Sequence, residues 1–211
     1  KIPLLETRWL LVLCIAASAL LDGCKSTYYG AMEMMGSHKR DILVDRVEDA
    51  RGDQEAAKEQ FKSALEKFQS VVTVPESELK STYETLNKEF ERSEKRANAV
   101  RDRIASIESV AGDLFKEWEK ELDQYSNAEL RRSSEKKLNE TRERYEELIG
   151  AMKRAESKME PVLTAFRDQV LFLKHNLNAQ AVAALQGEVT NMENEVGALI
   201  KDMEAAIAEA D

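Results

Sequence analysis

Apolar residues recur at alternating spacings of four and three through most of the chain that follows residue 37. Such spacing places the apolar side chains on one face of an α-helix and is typical of helices that pack against other helices. In the first helical stretch these positions are Leu43, Val47, Ala50, Gln54, Ala57, Phe61, Ala64, Phe68 and Val71. This stretch is predicted to end before Pro75, because the residue before a proline is disfavoured in helix.

Two longer helices follow in the prediction. The second runs from about Pro75 to Tyr125, and only Ser93 and Glu121 interrupt its apolar seam. Ser126, with a glutamate three residues later, has the form of a capping box that begins the third helix after a tight turn. Pro161 lies inside the third helix, where we expect a kink.

The polar group around His175, Asn176 and Asn178 leaves two alternatives for the rest of the chain. A break there gives four helices of matched length, whereas a continuous helix of about 80 residues outruns its partners. The match of lengths favours four helices. The same residues form either a helix junction that caps the backbone or a buried polar layer that fixes helix register.

Composition agrees with helices and weighs against most chemistry. Charged residues make up 34% of the 211 residues, aromatic residues only 6%, and the net charge is −9. An acidic chain without a basic face is not expected to bind nucleic acid. The two histidines, His38 and His175, lack ligand-spaced partners, and no nucleotide-binding or nucleophile motif occurs. We therefore predict no enzyme activity, metal, cofactor or small-molecule substrate.

The amino-terminal residues have the pattern of a secretory signal. Lys1 and Arg8 precede an apolar run over residues 9–21, which is short for a bilayer core of about 30 Å and matches a signal peptide. The alternative is a short uncleaved anchor. The run ends in Leu21-Asp22-Gly23-Cys24, which resembles the lipobox of bacterial lipoproteins, although Asp22 departs from the usual small or apolar residue.

The lipobox resemblance implies a lipid on Cys24 and an envelope protein that faces the periplasm. By analogy with enterobacterial sorting, the absence of Asp after the cysteine favours the outer membrane over the inner one. The predicted organisation is a signal peptide over residues 1–23, a lipid-proximal tether over 24–37 and a helical bundle over 38–211. His38, Lys39 and Arg40 could contact anionic headgroups, or they form a solvated helix start.

Several runs of this chain are similar to a bacterial family of unknown function, DUF2959. They are Tyr28 to Glu33, His38 to Val47, Leu114 to Trp118 and Asp168 to Asn178. The resemblance implies an envelope protein and no known activity.

Together these observations predict an all-α, elongated antiparallel bundle or coiled coil of three to four long helices. The expected function is a structural or adaptor role, with the membrane as one partner through Cys24. The other partner is a second copy or another envelope protein. The alternative is a membrane-shaping, BAR-like helical dimer, which requires the continuous helix of about 80 residues.

Overall fold

The computed structural model describes residues 39–211, and within that range it contains helices and turns but no strand. Four α-helices follow one another: α1 (Lys39–Ser70), α2 (Leu79–Leu122), α3 (Ala128–His175) and α4 (Ala179–Glu209). Two short 3₁₀ turns, Val71–Thr73 and Glu76–Glu78, connect α1 to α2. The predicted all-α class is confirmed, and residues 39–211 form four α-helices.

Pro75 separates α1 from α2 as its chemistry requires. Val74 has an extended backbone (φ −84°, ψ 133°), because the ring of the following proline crowds the helical conformation. The prediction that α2 starts at Pro75 is wrong by one turn. A 3₁₀ turn comes first, and α2 begins at Leu79.

The turn between α2 and α3 is capped by a different residue from the predicted one. Asn127, rather than Ser126, is the N-cap of α3, and its side chain accepts hydrogen bonds from the backbone N–H groups of Glu129 and Leu130 at 2.8 and 3.1 Å. Asn127 has the extended backbone (φ −92°, ψ 114°) of an N-cap residue. The capping-box assignment was therefore misplaced by one residue.

Helices α3 and α4 are separate, so the continuous helix of about 80 residues does not form. Asn176 is the C-cap of α3 and Asn178 is the N-cap of α4. Helix α3 itself runs through Pro161 as one 48-residue element.

The chain divides into two compact units, Lys1–Ile42 and Leu43–Asp211. In the second unit, ion pairs and hydrogen bonds show that sequence neighbours are antiparallel. Asp53 of α1 pairs with Arg103 of α2 at 2.7 Å. The other links are Arg101–Glu156 between α2 and α3, Lys158–Asp202 between α3 and α4, and Arg51–Asp211 between α1 and the end of α4. Each helix therefore lies beside the two that a closed four-helix bundle requires.

Most of the core of the second unit consists of predicted seam residues, although Leu163 and Ala151, which are also buried, were not among them. Phe61, Phe68, Ile107, Met152 and Leu199 are among its fully buried side chains. The rings of Phe68 and Phe90 each form a T-shaped contact with the ring of Phe166, and the ring centroids of both pairs are 6.1 Å apart.

A smaller apolar cluster, separate from this core, lies in the α2–α3 hairpin and consists of Ala111, Phe115, Leu122 and Leu138. Trp118 donates from Nε1 to Ser134 Oγ at 2.8 Å across the same hairpin. The hairpin thus has its own packing beyond the residues that contact α4.

Candidate functional site

The residues proposed for membrane attachment fall mostly outside the described range. Cys24 and His38 precede residue 39. Lys39 and Arg40 are the first two residues of α1, and Arg40 is exposed. Both have interactions, and their contact with headgroups stays a prediction.

The polar group at the α3–α4 junction directs its side chains to the backbone of its own chain. Asn176 Nδ2 donates to the carbonyl oxygen of Phe172, and Asn178 Oδ1 accepts from the N–H of Ala181, each at 3.0 Å. His175 and Asn178 are exposed and Asn176 is half-buried. This geometry is that of two helix caps placed back to back.

A buried polar cluster, which sequence reasoning missed, lies instead between α1 and α2. Glu89 is only 6% exposed, and its Oε2 accepts a 2.6 Å hydrogen bond from Gln60 Nε2. Its Oε1 accepts from Arg92 at 2.9 Å. Ser93, fully buried, donates to the carbonyl oxygen of Glu89 at 2.8 Å. The sequence feature that indicates this cluster is Ser93, because a serine at an apolar seam position indicates a polar neighbour one helical turn away.

Gln54 is a third buried polar residue, besides Glu89 and Ser93, and unlike Gln60 its side chain has no hydrogen bond within residues 39–211. Its side chain is fully buried at a seam position of α1, and neither its amide nitrogen nor its amide oxygen has a partner among the described residues. Buried amides are nearly always hydrogen-bonded because burial removes their water. We therefore expect the Gln54 amide to lower the stability of the fold.

An apolar groove of about 500 Å³ lies where α4 ends, and we call it the α4-end groove. Its walls come from Leu43, Val44 and Val47 of α1 and from Tyr145 and Leu148 of α3. Its remaining lining residues are Glu48, Arg51, Thr141, Arg144, Glu209, Ala210 and Asp211. Val44 is 60% exposed. The groove lies at the carboxyl end of α4, between residues 43–51 of α1 and residues 141–148 of α3.

Two groups, Tyr145 in this groove and Arg101 elsewhere on α2, have a raised pKa. Burial raises the pKa of Tyr145, and the carboxylates of Glu108 and Glu146 raise it further. Partial burial opposes the charge of Arg101, but its hydrogen bonds to Glu160 and Glu156 outweigh that effect and raise its pKa. Neither group has its pKa shifted toward 7, the range in which side chains act as general acids or bases.

Residues 39–211 form neither a metal-binding cluster nor a membrane-spanning helix. No group of three or more His, Cys, Asp or Glu side chains in that range is arranged to hold a metal ion. Likewise, none of the four helices contains an apolar stretch of the length that a bilayer crossing requires.

These features define a class of protein, a four-helix bundle. It has a polar cluster between α1 and α2 and an apolar groove between α1 and α3 at the end of α4. Within that class the chain belongs to the family described as "Protein of unknown function (DUF2959)", which it matches over residues 28–211. No curated protein and no solved structure matches the chain.

Proposed function

We propose that the chain is a non-enzymatic bacterial envelope lipoprotein that acts as a structural or adaptor bundle. Its lipid is carried on Cys24, and its helical body faces the periplasm. The lipobox resemblance supports the attachment, and the α4-end groove is the single observation that supports the adaptor role.

The groove fits a helix supplied by another envelope protein. Helix α4 closes one end with its carboxyl terminus, where the helix dipole is negative and Glu209 adds charge, whereas Asp211 is paired with Arg51. An incoming helix that lies in line with α4 would present its positive amino end there. Its apolar face would cover Val44, Val47 and Leu148, which matches helix-in-groove recognition.

A second copy of the chain fits this groove less well. In residues 39–211, helices α2, α3 and α4 each begin directly after a turn from another helix. In a second copy, the helix that precedes each of these amino ends would obstruct end-on stacking against α4. The membrane-shaping alternative required a continuous helix through Asn176 and Asn178, and the caps at those residues remove that support.

Site-specific photocrosslinking in cells tests the adaptor role. A photoreactive amino acid at Val44 should give one discrete product with an envelope protein, and Leu148→Glu should abolish that product. The matched control is Leu130, which is 57% exposed but lies outside the groove.

Equal products from both positions, or a product that Leu148→Glu leaves intact, would contradict the adaptor role. A product formed between two copies of the chain would replace the external partner by self-association. Mass spectrometry of the mature chain tests the lipid separately, since an unmodified Cys24 would refute the anchoring.

A further inference from the structure

The α3–α4 turn exposes three large apolar side chains within seven residues. Leu171, Phe172 and Leu177 are 46, 41 and 43% exposed, although Leu173 between them is fully buried. Single exposed apolar residues are common on protein surfaces, but a group of three at one turn indicates contact with another surface. We call Leu171, Phe172 and Leu177 the apolar tip.

The charge around the apolar tip is unlike that of the rest of the chain. The protein has 40 acidic residues, yet residues 169–187 contain no Asp or Glu. This is the longest stretch without acidic residues in the described range. Its charged or titratable side chains are Lys174 and His175, both exposed. The α1–α2 turn at the same end carries the exposed Glu78, so the absence of acidic residues is confined to the α3–α4 turn.

The turn holds the apolar tip in a fixed conformation. Asn176 donates to the backbone of Phe172, and Asn178 caps α4. Both asparagines therefore satisfy backbone groups that a less ordered turn would leave to water. The apolar side chains sit on a capped turn at the end of the bundle, so little conformational entropy is lost when they bind a surface.

We propose that the apolar tip binds the surface of a phospholipid bilayer that carries anionic headgroups. Leu171, Phe172 and Leu177 enter the boundary between headgroups and acyl chains, and Lys174 lies among the phosphates. Aromatic and aliphatic side chains beside a lysine are the combination that interfacial membrane segments use. Each basic residue near an anionic bilayer adds to the attraction.

Two other occupants fit the apolar tip less well. A second copy would bring Lys174 and His175 close to the same residues of its partner, and like charges would repel. A protein partner would have to provide an acidic cavity for a protruding turn, whereas a bilayer deforms around one. The proposal goes beyond the adaptor role and does not depend on a lipid at Cys24.

A fluorescent label at the apolar tip provides a local test in the full chain. An environment-sensitive dye is attached at Leu177→Cys in a chain that also carries Cys14→Ser and Cys24→Ser. The emission is followed as vesicles of phosphatidylcholine, with or without phosphatidylglycerol, are added. The matched control places the dye at Leu130→Cys. Leu130 is exposed, lies in the first turn of α3 and is flanked by Glu129 and Arg131.

The tip label should shift to the blue with anionic vesicles, and the shift should weaken with added salt. Phe172→Glu should abolish it, and Lys174→Glu should weaken binding about fivefold or more on anionic vesicles. The label at position 130 should not respond. No shift at position 177, or an equal shift at both positions, would overturn the proposal and leave an acidic protein surface as the better-fitting partner.

Discussion

Gln60 of α1 and Glu89 of α2 join two helices through a hydrogen bond of 2.6 Å inside the bundle. Both carboxylate oxygens of Glu89 are occupied, one by Gln60 and the other by Arg92. A buried charge that has all its partners fixes the relative position of the helices, because any slip leaves it unpaired. We therefore expect the pair to set the register of α1 against α2.

Glu89→Met should lower the free energy of unfolding by about 1 kcal/mol, because the half-buried Gln60 amide loses its shortest hydrogen bond and keeps only contacts of 3.5 Å to the Glu89 carbonyl oxygen and Ser93 Oγ. The double variant with Gln60→Met should recover part of that loss, since both polar groups are then absent. Urea unfolding of the four chains in a double-mutant cycle measures the coupling.

Glu91→Ala is the control for that cycle. Glu91 is exposed and accepts a hydrogen bond from Asn87 on its own helix, so its loss should change stability by less than about 0.5 kcal/mol. Additive effects of the two substitutions at Gln60 and Glu89 would show that their hydrogen bond does not set the register.

Gln54→Met should raise the free energy of unfolding by about 1 kcal/mol, because it removes a buried amide without partners and preserves the volume of the side chain. Gln60→Met is the matched substitution on the same helix and should have the opposite sign. Thermal and urea unfolding measure both. A loss of stability in Gln54→Met would show that its amide has a partner, such as a bound water, in solution.

Asn127→Ala should lower the free energy of unfolding by about 1 kcal/mol, because the backbone N–H groups of Glu129 and Leu130 lose their acceptor. Ser126→Ala should have almost no effect, and this pair decides between the two candidate caps. Hydrogen exchange of the amides at 129 and 130 gives the local measurement. Equal effects of both substitutions would contradict the cap seen in the structure.

Stability should also depend on Tyr145 in alkaline solution. Because burial raises the pKa of this phenol above the ordinary value of 10.0, the folded chain holds the proton more tightly than the unfolded chain. This contribution is intact below pH 10.0 and is lost as the pH rises through the folded-state pKa.

Tyr145→Phe removes that titration. The difference in unfolding free energy between wild type and variant should be constant near neutral pH, which serves as the internal control. Above pH 10.0, the wild type should lose stability relative to the variant. Urea unfolding across this range measures it, and a constant difference throughout would contradict the shift.

The sequence predicted the seams of the helices well where four helices surround the core. Ile107, Met152, Met159 and Leu199, which follow the spacing of four and three, are fully buried. The prediction failed at the turn between α2 and α3, because Tyr125 and Leu130 extend the apolar patterns of the second and third predicted helices but are 42 and 57% exposed. At the end of a hairpin fewer helices remain to cover an apolar position, and periodicity carries no information about neighbours.

The candidate sites were less predictable than the helices. Asn176 and Asn178 were predicted to form a helix junction or a polar layer because they interrupt an apolar pattern. In the structure, both residues are helix caps. Gln60 was overlooked because it lies off the seam of α1, at the side that faces Glu89. The α4-end groove was not foreseen at all, since it depends on where α4 stops relative to α1 and α3.

By itself, therefore, the sequence determined an all-α chain, the approximate helix boundaries and most of the buried apolar residues. These properties are local, since helix periodicity, proline and capping side chains act within a few residues. Only the tertiary structure decided that Gln60 meets Glu89, that Gln54 has no partner and that the α3–α4 turn leaves Phe172 exposed. Those outcomes depend on the relative lengths and registers of helices that are distant in sequence, which no local pattern encodes.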